Sequence, residues 1–341
     1  MKIIQGPLEI AGQMGILNDA FKKEGHQAMG YNYYHTSLGY KDNILPADGN
    51  EITRITGDAI NHFEIFHYHY ALTFFNDFRD LELLAEAGKP AFMHHWGSDV
   101  RKGSIAKLFN PYVNTADSPP EEEIHQKMMK ISKYIPVGFV QDYEVLPYVS
   151  PYYKEVHVIP IAINLEKFEP VYPNPSENTP LIIHAPTQPE FKGTARIEEV
   201  IEKLKKEFSF RYQRIEKMSN EKATALYRNA DIIIDQIFCG SYGLFSVEAM
   251  ALGKPVICYV RDDLMCQYNT KPPICTANPD TIYDVLKELL SSGELRRKKG
   301  MDGRKFVESY HDNRIVAKQL LPIYERFLTS KRNTKVTTSS S

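Results

Sequence analysis

Short apolar runs alternate with amphipathic stretches through the first half of the chain. The first run leads into a glycine-containing loop and an amphipathic stretch that ends at Gly25, and a second amphipathic stretch follows at 80–87. Strands are predicted at residues 2–5, 62–69, 91–95, 132–140 and 156–160. Short strands that alternate with helices are typical of a parallel sheet with helices on both faces.

The pattern breaks at residues 170–180, where prolines interrupt a polar stretch, and this composition indicates a linker. Beyond it the alternation of strands and helices begins again. Strands are predicted at 181–185, 208–215, 231–235 and 255–259, and helices at 196–207, 221–228 and 246–252. Helices dominate from residue 279 onward, and the tail at 331–341, rich in Ser, Thr and Lys, is expected to be disordered.

Composition indicates an ordinary globular protein but does not indicate a function. The chain has 341 residues, of which 43% are hydrophobic and 25% charged, and this is enough for two globular domains. A net charge of -2 gives no overall electrostatic case for a nucleic-acid partner. The four cysteines show no C-x-x-C spacing, which favours reduced thiols. Neither a signal peptide nor a long apolar span is found, so a cytoplasmic location is predicted.

The stretch at 239–256 carries the strongest chemical pattern of the sequence. A glycine-containing loop precedes a predicted helix that carries Glu248 in its first turns. Backbone N–H groups at a helix N-terminus bind phosphate oxygens, which makes Gly243, Leu244 and Phe245 candidate ligands. The Glu248 carboxylate can accept two hydrogen bonds from a ribose diol. The alternative is a plain loop-to-helix junction with a solvated glutamate.

This stretch resembles the nucleotide-sugar site of GT-B glycosyltransferases, in particular the retaining family 4. The match runs from Gly243 through E-A-M-A at 248–251 to G-K-P-V at 253–256. Three further segments resemble the same family, at 158–170, at 184–194 and at 97–99. The resemblance covers about residues 1–328.

The resemblance implies an α/β fold of the GT-B type, with two Rossmann-like domains facing each other across a cleft. It implies an acceptor-binding domain over 1–168 and a nucleotide-sugar domain over 169–312. A helix over 313–328 is expected to cross back to the first domain, before a disordered tail over 329–341. A divalent metal is not expected, because a lysine and a helix N-terminus can neutralise a diphosphate.

On the donor side the resemblance places Lys192 at the diphosphate and Glu248 at the ribose. A solvated turn is the alternative for Lys192. The first glutamate of the family pattern, which is thought to lie near the transferred sugar, falls on Gly240, and an arginine of the pattern falls on Pro186. Asp235 and Gln236, at the end of a predicted buried strand, are expected to face the transferred sugar instead.

On the acceptor side, histidines cluster at His62, His67, His69, His94 and His95. No acidic or cysteine partner shares their spacing, so no metal site is predicted. Contact with an acceptor, proton handling and simple packing all stay open as roles for these histidines.

The predicted catalytic residues of this side are His94, His95 and Asp99. Trp96 stands where the family has a histidine, and His94 and His95 are its nearest substitutes. The loop with Gly12 and Gly15 resembles the glycine loop under the acceptor in these enzymes. It lacks G-x-G-x-x-G, which argues against an independent dinucleotide site.

The sequence therefore predicts a retaining glycosyltransferase without a metal cofactor. It would move a sugar from a UDP- or GDP-sugar donor to a hydroxyl acceptor such as a glycan or a lipid-linked precursor, in polysaccharide biosynthesis. No nucleic-acid partner is expected, and peripheral association with a membrane stays open, as does the oligomeric state. Two alternatives are a nucleotide-sugar epimerase of the same fold and an inactive sugar-binding scaffold.

Overall fold

The structure is a computed structural model that describes residues 1–34 and 41–338, excluding the side chains of 330–338. The strands are β1 (Lys2–Gly6), β2 (Gln27–Asn32), β3 (Ile44–Pro46), β4 (Ile65–His69), β5 (Ala91–His95), β6 (Val137–Val140), β7 (Glu155–Val158), β8 (Leu181–His184), β9 (Arg211–Arg214), β10 (Ile232–Ile234), β11 (Val256–Cys258) and β12 (Cys275–Thr276). The helices are α1 (Gln13–Lys23), α2 (Gly49–His62), α3 (Arg79–Glu86), α4 (Gly103–Phe109), α5 (Glu121–Ser132), α6 (Leu146–Val149), α7 (Pro189–Lys192), α8 (Thr194–Leu204), α9 (Asn220–Tyr227), α10 (Leu244–Ala251), α11 (Asp262–Met265), α12 (Ile282–Ser291), α13 (Gly293–Tyr310) and α14 (Asn313–Thr338).

The chain divides into two compact units. The first comprises Met1–Val100, Pro119–Ala162 and Asn313–Ser341, and the second comprises Arg101–Ser118 and Ile163–Asp312. These ranges differ from the predicted ones at 1–168 and 169–312, because a segment from the first half of the chain joins the second unit. There the Asn110 side-chain amide donates to the carbonyls of Phe238 and Cys239, at 2.7 and 3.0 Å. No local sequence pattern predicts contacts between positions so far apart along the chain.

The first unit is built on a parallel sheet in the order β3-β2-β1-β4-β5-β6-β7. Ile3 of the central strand β1 pairs with Ala28 on one side and Ile65 on the other. The core on one face of this sheet joins α1 to α14. Leu320 and Tyr324 of α14 are fully buried there.

The second unit has its own parallel sheet in the order β12-β11-β10-β8-β9. Ile232, Ile233 and Ile234 of β10 are fully buried, since helices cover both faces of a parallel sheet. Aliphatic side chains of α8 and α12 close the core on one face.

Several predicted elements differ from the observed ones. The strand predicted over 132–140 begins only at Val137, because α5 extends to Ser132 and Pro136 precedes the strand. The tail predicted from residue 329 is helical through Thr338 as part of α14. The pattern gave no element over α2, although Asp48 and Glu51 form a capping box that marks its start.

Candidate nucleotide-binding site

The candidate site lies in the second unit, after the carboxyl end of the buried strand β10. Asp235 and Gln236 follow this strand directly, and a loop leads from them into α10. The Gln236 side-chain amide donates to the Ser241 carbonyl at 2.6 Å, and the Gln236 carbonyl accepts from the Tyr259 N–H at 2.8 Å. Gln236 therefore stabilises the loop through both its side chain and its backbone, and its contact with a sugar stays a prediction.

Lys192 and Asp235 form a buried ion pair beneath α10. The ammonium contacts one carboxylate oxygen of Asp235, and the Ser246 hydroxyl donates to the other at 2.6 Å. Asp235 is fully buried, whereas the Lys192 side chain keeps 11% of its surface exposed. Both oxygens of Asp235 are thus engaged within the unit, one by Lys192 and one by Ser246. A contact between Asp235 and a transferred sugar stays a prediction.

The N-terminus of α10 follows Gly243, which occupies the N-cap position and has no side chain to offer as a cap. Gly243, Leu244 and Phe245 are partly exposed, in contrast to the rest of the helix. Lys192 Nζ lies 5.7 Å from the centre of the Phe245 ring. An ammonium group and the uncapped first turn of a helix thus lie close together, a combination that attracts anions.

Glu248 lies one turn further along α10 and is 5% exposed. The Asn220 side chain donates to its carboxylate at 2.9 Å. Burial raises the pKa of Glu248 to about 7, an effect that the Asn220 hydrogen bond opposes, as does the charge of Lys192. A carboxyl group poised near neutrality is characteristic of functional sites.

Gly240 explains why this chain lacks the first glutamate of the family pattern. Its φ of +85° is rarely adopted by residues other than glycine. A Cβ atom there would lie 2.8 Å from Arg261 Cγ and 3.0 Å from Asn110 Nδ2. In this chain a side chain at position 240 would therefore collide with the Arg261 side chain.

The first unit places its predicted catalytic residues differently from what their proximity in sequence suggested. His94 and His95 are neighbours on β5, so their side chains point to opposite faces of the sheet. His95 Nδ1 lies 2.7 Å from Asp99 Oδ2, and His95 Nε2 lies 2.8 Å from the Tyr153 hydroxyl. Asp99 also accepts from the Trp96 N–H at 2.9 Å. His95, Asp99 and Tyr153 thus form a buried hydrogen-bond network, and the catalytic roles of His95 and Asp99 stay predictions.

His94 lies on the other face of the sheet and is 1% exposed. Its ring stacks on Trp96 with centroids 4.1 Å apart. Both of its ring nitrogens are buried without a hydrogen-bond partner. His94 is therefore buried in the first unit, and its contact with an acceptor stays a prediction.

The glycine loop of the first unit is occupied by a residue that the sequence analysis did not identify. Glu9 accepts hydrogen bonds from the N–H groups of Met14 and Gly15, each at 3.1 Å. Burial raises the pKa of Glu9 to about 8, although these hydrogen bonds lower it. An internal carboxyl group therefore caps this helix, and the acceptor role of Gly12 and Gly15 stays a prediction.

Glu9 and Asn220 are the site residues that sequence reasoning missed. Ser246 lies inside the recognised motif, two positions before Glu248, where its backbone N–H is a candidate phosphate ligand, but the bond of its hydroxyl to Asp235 was not predicted. Asn220 reaches Glu248 from 28 positions away, and no local pattern marks such a partner.

Comparison with solved structures identifies the fold. Sucrose-phosphate synthase from Thermosynechococcus elongatus is 13% identical with a TM-score of 0.63, over 97% of this chain and 100% of that one. HepE from Anabaena, in complex with UDP and glucose, is 10% identical with a TM-score of 0.65, over 96% and 100%. MnaA from S. aureus, in complex with UDP, is 13% identical with a TM-score of 0.53, over 96% and 97%.

The chain has the α/β fold of the GT-B class, with two Rossmann-like units, as predicted. No protein-family model matches the chain, and no curated protein does. Among the described residues, no helix combines the length and the apolar character needed to cross a bilayer.

Proposed function

We propose that this protein is a retaining glycosyltransferase, similar to family 4, that takes a UDP- or GDP-sugar as donor and a hydroxyl group as acceptor. The observation that carries the proposal is the anion-binding corner of the second unit. There the Lys192 ammonium, held by Asp235, lies beside the uncapped N-terminus of α10. Solved structures with the same fold contain UDP or UDP-glucose, which supports a uridine nucleotide as the first donor to test.

In the proposed mechanism the chain contributes orientation and charge. The N–H groups of Gly243, Leu244 and Phe245 and the Lys192 ammonium would bind the diphosphate. They would stabilise the charge that develops on it as the sugar departs. Glu248 would accept hydrogen bonds from the ribose hydroxyls. Neutralisation by these groups requires no divalent ion at the diphosphate. A glycan or lipid-linked hydroxyl is the proposed acceptor, with the protein in the cytoplasm or peripherally at a membrane.

Binding of the donor is the first test. UDP-glucose and GDP-mannose are titrated into the protein by calorimetry, alongside Glu248→Ala. Loss of hydrogen bonds to a charged group is expected to cost about 1.5–3 kcal/mol, or roughly ten- to a hundredfold in affinity. The matched control is Glu202→Ala, which removes an exposed glutamate of α8 in the same unit. Equal affinity of wild type and Glu248→Ala would reject the assignment of the ribose site.

Turnover separates the proposal from its two alternatives. A labelled donor is incubated with candidate hydroxyl acceptors, and the anomeric configuration of the product is read by NMR. Transfer with retention is expected. Formation of an epimeric nucleotide-sugar without any acceptor would identify an epimerase, and tight binding without turnover would identify a scaffold.

A further inference from the structure

Three histidine side chains of the first unit lie close together on one face of its sheet, whereas the candidate nucleotide site is in the second unit. His67 and His69 are two positions apart on β4, so their side chains point to the same face of the sheet. His94 of β5 pairs with His69 and points to that face too. They are at most 1% exposed. One ring nitrogen from each lies within 4.8 Å of the other two. The histidines at two strand ends could be expected to converge, and the parallel pairing of β4 with β5 brings His94 beside His69.

The hydrogen bonds leave inward-facing nitrogens without partners. His67 Nδ1 lies 2.7 Å from the Tyr324 hydroxyl, and His69 Nε2 donates to Gln5 Oε1 at 3.0 Å. His67 Nε2 and both nitrogens of His94 are buried with no partner at all. Buried polar atoms are nearly always hydrogen-bonded, so three orphan nitrogens in one cluster call for a ligand.

We propose that His67, His69 and His94 form a binding site for one transition-metal ion, with zinc as its reference ion. The ligand atoms are His67 Nε2, His69 Nδ1 and one nitrogen of His94. The set contains three imidazoles and neither a carboxylate nor a thiolate. Imidazole suits zinc, copper, iron and nickel. The site would tie β4 to β5 and is independent of the proposed transfer reaction.

The surroundings fit this assignment. In metal sites a ligating histidine is usually held by a hydrogen bond at its other ring nitrogen. Tyr324 and Gln5 make such bonds to His67 and His69. Gln5 is itself fixed, because its side-chain amide donates to Asn18 Oδ1 at 2.7 Å. Two of the three rings are therefore oriented before an ion binds.

Coordination requires a small adjustment of the rings. Zinc binds imidazole nitrogen at about 2.0–2.1 Å, which places tetrahedral ligands about 3.4 Å apart. The rings of His67 and His94 are nearly parallel, at 6°, so at least one must turn about its χ2 torsion. His94 can turn without breaking a hydrogen bond, since neither of its nitrogens has a partner, but its stacking on Trp96 would change. His69 Nδ1 must exchange its long hydrogen bond from Trp96, at 3.2 Å, for the ion.

Metal content and binding test the proposal directly. Protein purified without a histidine tag is stripped with a chelator and titrated with Zn²⁺ by calorimetry, and its melting temperature is recorded with and without the ion. One ion per chain and a higher melting temperature are expected, since a ligand of the native state stabilises it. Failure of the stripped wild-type protein to bind Zn²⁺, Co²⁺ or Cu²⁺ would overturn the proposal.

The variant His94→Phe separates a metal site from simple packing. Phenylalanine keeps the stacking on Trp96 and removes no hydrogen bond, so the variant should fold. It should lose the bound ion and the rise in melting temperature, whereas the control His125→Phe, at an exposed histidine of the same unit, should keep both. Unchanged ion binding by His94→Phe would refute the site. Should that variant not fold, spin resonance of Cu²⁺ in the wild-type protein counts the imidazole ligands, and fewer than three would refute it equally.

Discussion

The two units each contain a strand, a glycine loop and a helix, yet the two helix N-termini differ in what occupies them. At α1, Gly12 is the N-cap and the Glu9 carboxyl group accepts from the first-turn amides of Met14 and Gly15. At α10, Gly243 is the N-cap, and the first turn is partly exposed beside the Lys192 ammonium. The same local sequence pattern thus yields one helix end filled from within and one left available to a ligand.

The comparison teaches that a glycine loop before a helix predicts geometry but not function. A phosphate approaching α1 would have to displace Glu9, whereas one approaching α10 would meet an ammonium group. The side chain that lies at each helix end, Glu9 at α1 and Lys192 at α10, therefore decides which N-terminus can bind an anion. The following predictions test this contrast, from the largest effect to the smallest.

Removal of Asp235 should have the largest effect. Asp235→Ala leaves Lys192 without its buried partner, and such a loss costs about 3–5 kcal/mol of unfolding free energy. Denaturant titration measures it. The double variant Lys192→Met/Asp235→Ala should regain part of the loss. Asp302→Ala, which breaks the exposed pair with Lys298, is the control and should cost under about 1 kcal/mol. Equal losses of unfolding free energy in Asp235→Ala and Asp302→Ala would show that the buried ion pair stabilises the fold no more than the exposed one.

Substitution of glycine should distinguish the two helix ends. In Gly15→Ala the new Cβ would lie 2.1 Å from the Asp42 carbonyl oxygen, so we expect a loss of about 1–3 kcal/mol in stability. At Gly243 and at the control Gly57 a Cβ meets no atom within 4 Å. Gly57→Ala should fold as well as wild type, by denaturant titration. Gly243→Ala should also fold. It should bind UDP-glucose more weakly, because the added methyl group would lie where the diphosphate approaches the backbone N–H groups. A stable Gly15→Ala would contradict the tight packing at α1.

The pH dependence of donor binding should report Glu248. Its folded-state pKa of about 7 lies above its ordinary value of 4.5, because of burial. Protonation of Glu248 therefore contributes to the free energy of unfolding. This contribution is fully present below pH 4.5 and is lost as the pH rises through about 7. Binding of a ribose diol favours the ionised form, so affinity for UDP-glucose should rise about tenfold from pH 6 to 8, worth about 1.4 kcal/mol. Calorimetry measures it, and Glu248→Gln should flatten the profile. A profile that is unchanged in this variant would assign the titration to another group.

The smallest effect concerns the hydrogen bond from Asn220 to Glu248. This bond favours the ionised carboxylate, so Asn220→Ala should raise the pKa of Glu248 further. The midpoint of the affinity profile should move to higher pH by up to about one unit, for a bond worth about 0.5–1.5 kcal/mol. Asn229→Ala, at a nearby asparagine beyond α9, serves as the control and should leave the midpoint in place. A midpoint that moves equally in both variants would remove Asn220 from the site.

Local patterns predicted the α/β class, most strands of the second unit and the loop that enters α10. The reason is that apolar runs and glycines report on the backbone near them. They did not predict the contacts within the site. Asp235 follows β10 as the pattern indicates, but its partner Lys192 lies 43 positions away, and no local pattern predicts that ion pair.

By itself the sequence determined the repeated order of strand and helix, the α10 motif and the absence of a side chain at position 240. Only the tertiary structure decided that Arg101–Ser118 joins the second unit and that Glu9 fills the α1 N-terminus. It also separated His94 from His95 and joined His94 to His67 and His69. The physical reason is that periodicity is set by the nearest neighbours along the chain, whereas side-chain contacts are set by the folded backbone. This holds for a partner five positions away, as for Glu9 and Met14, and for one 43 positions away, as for Lys192 and Asp235.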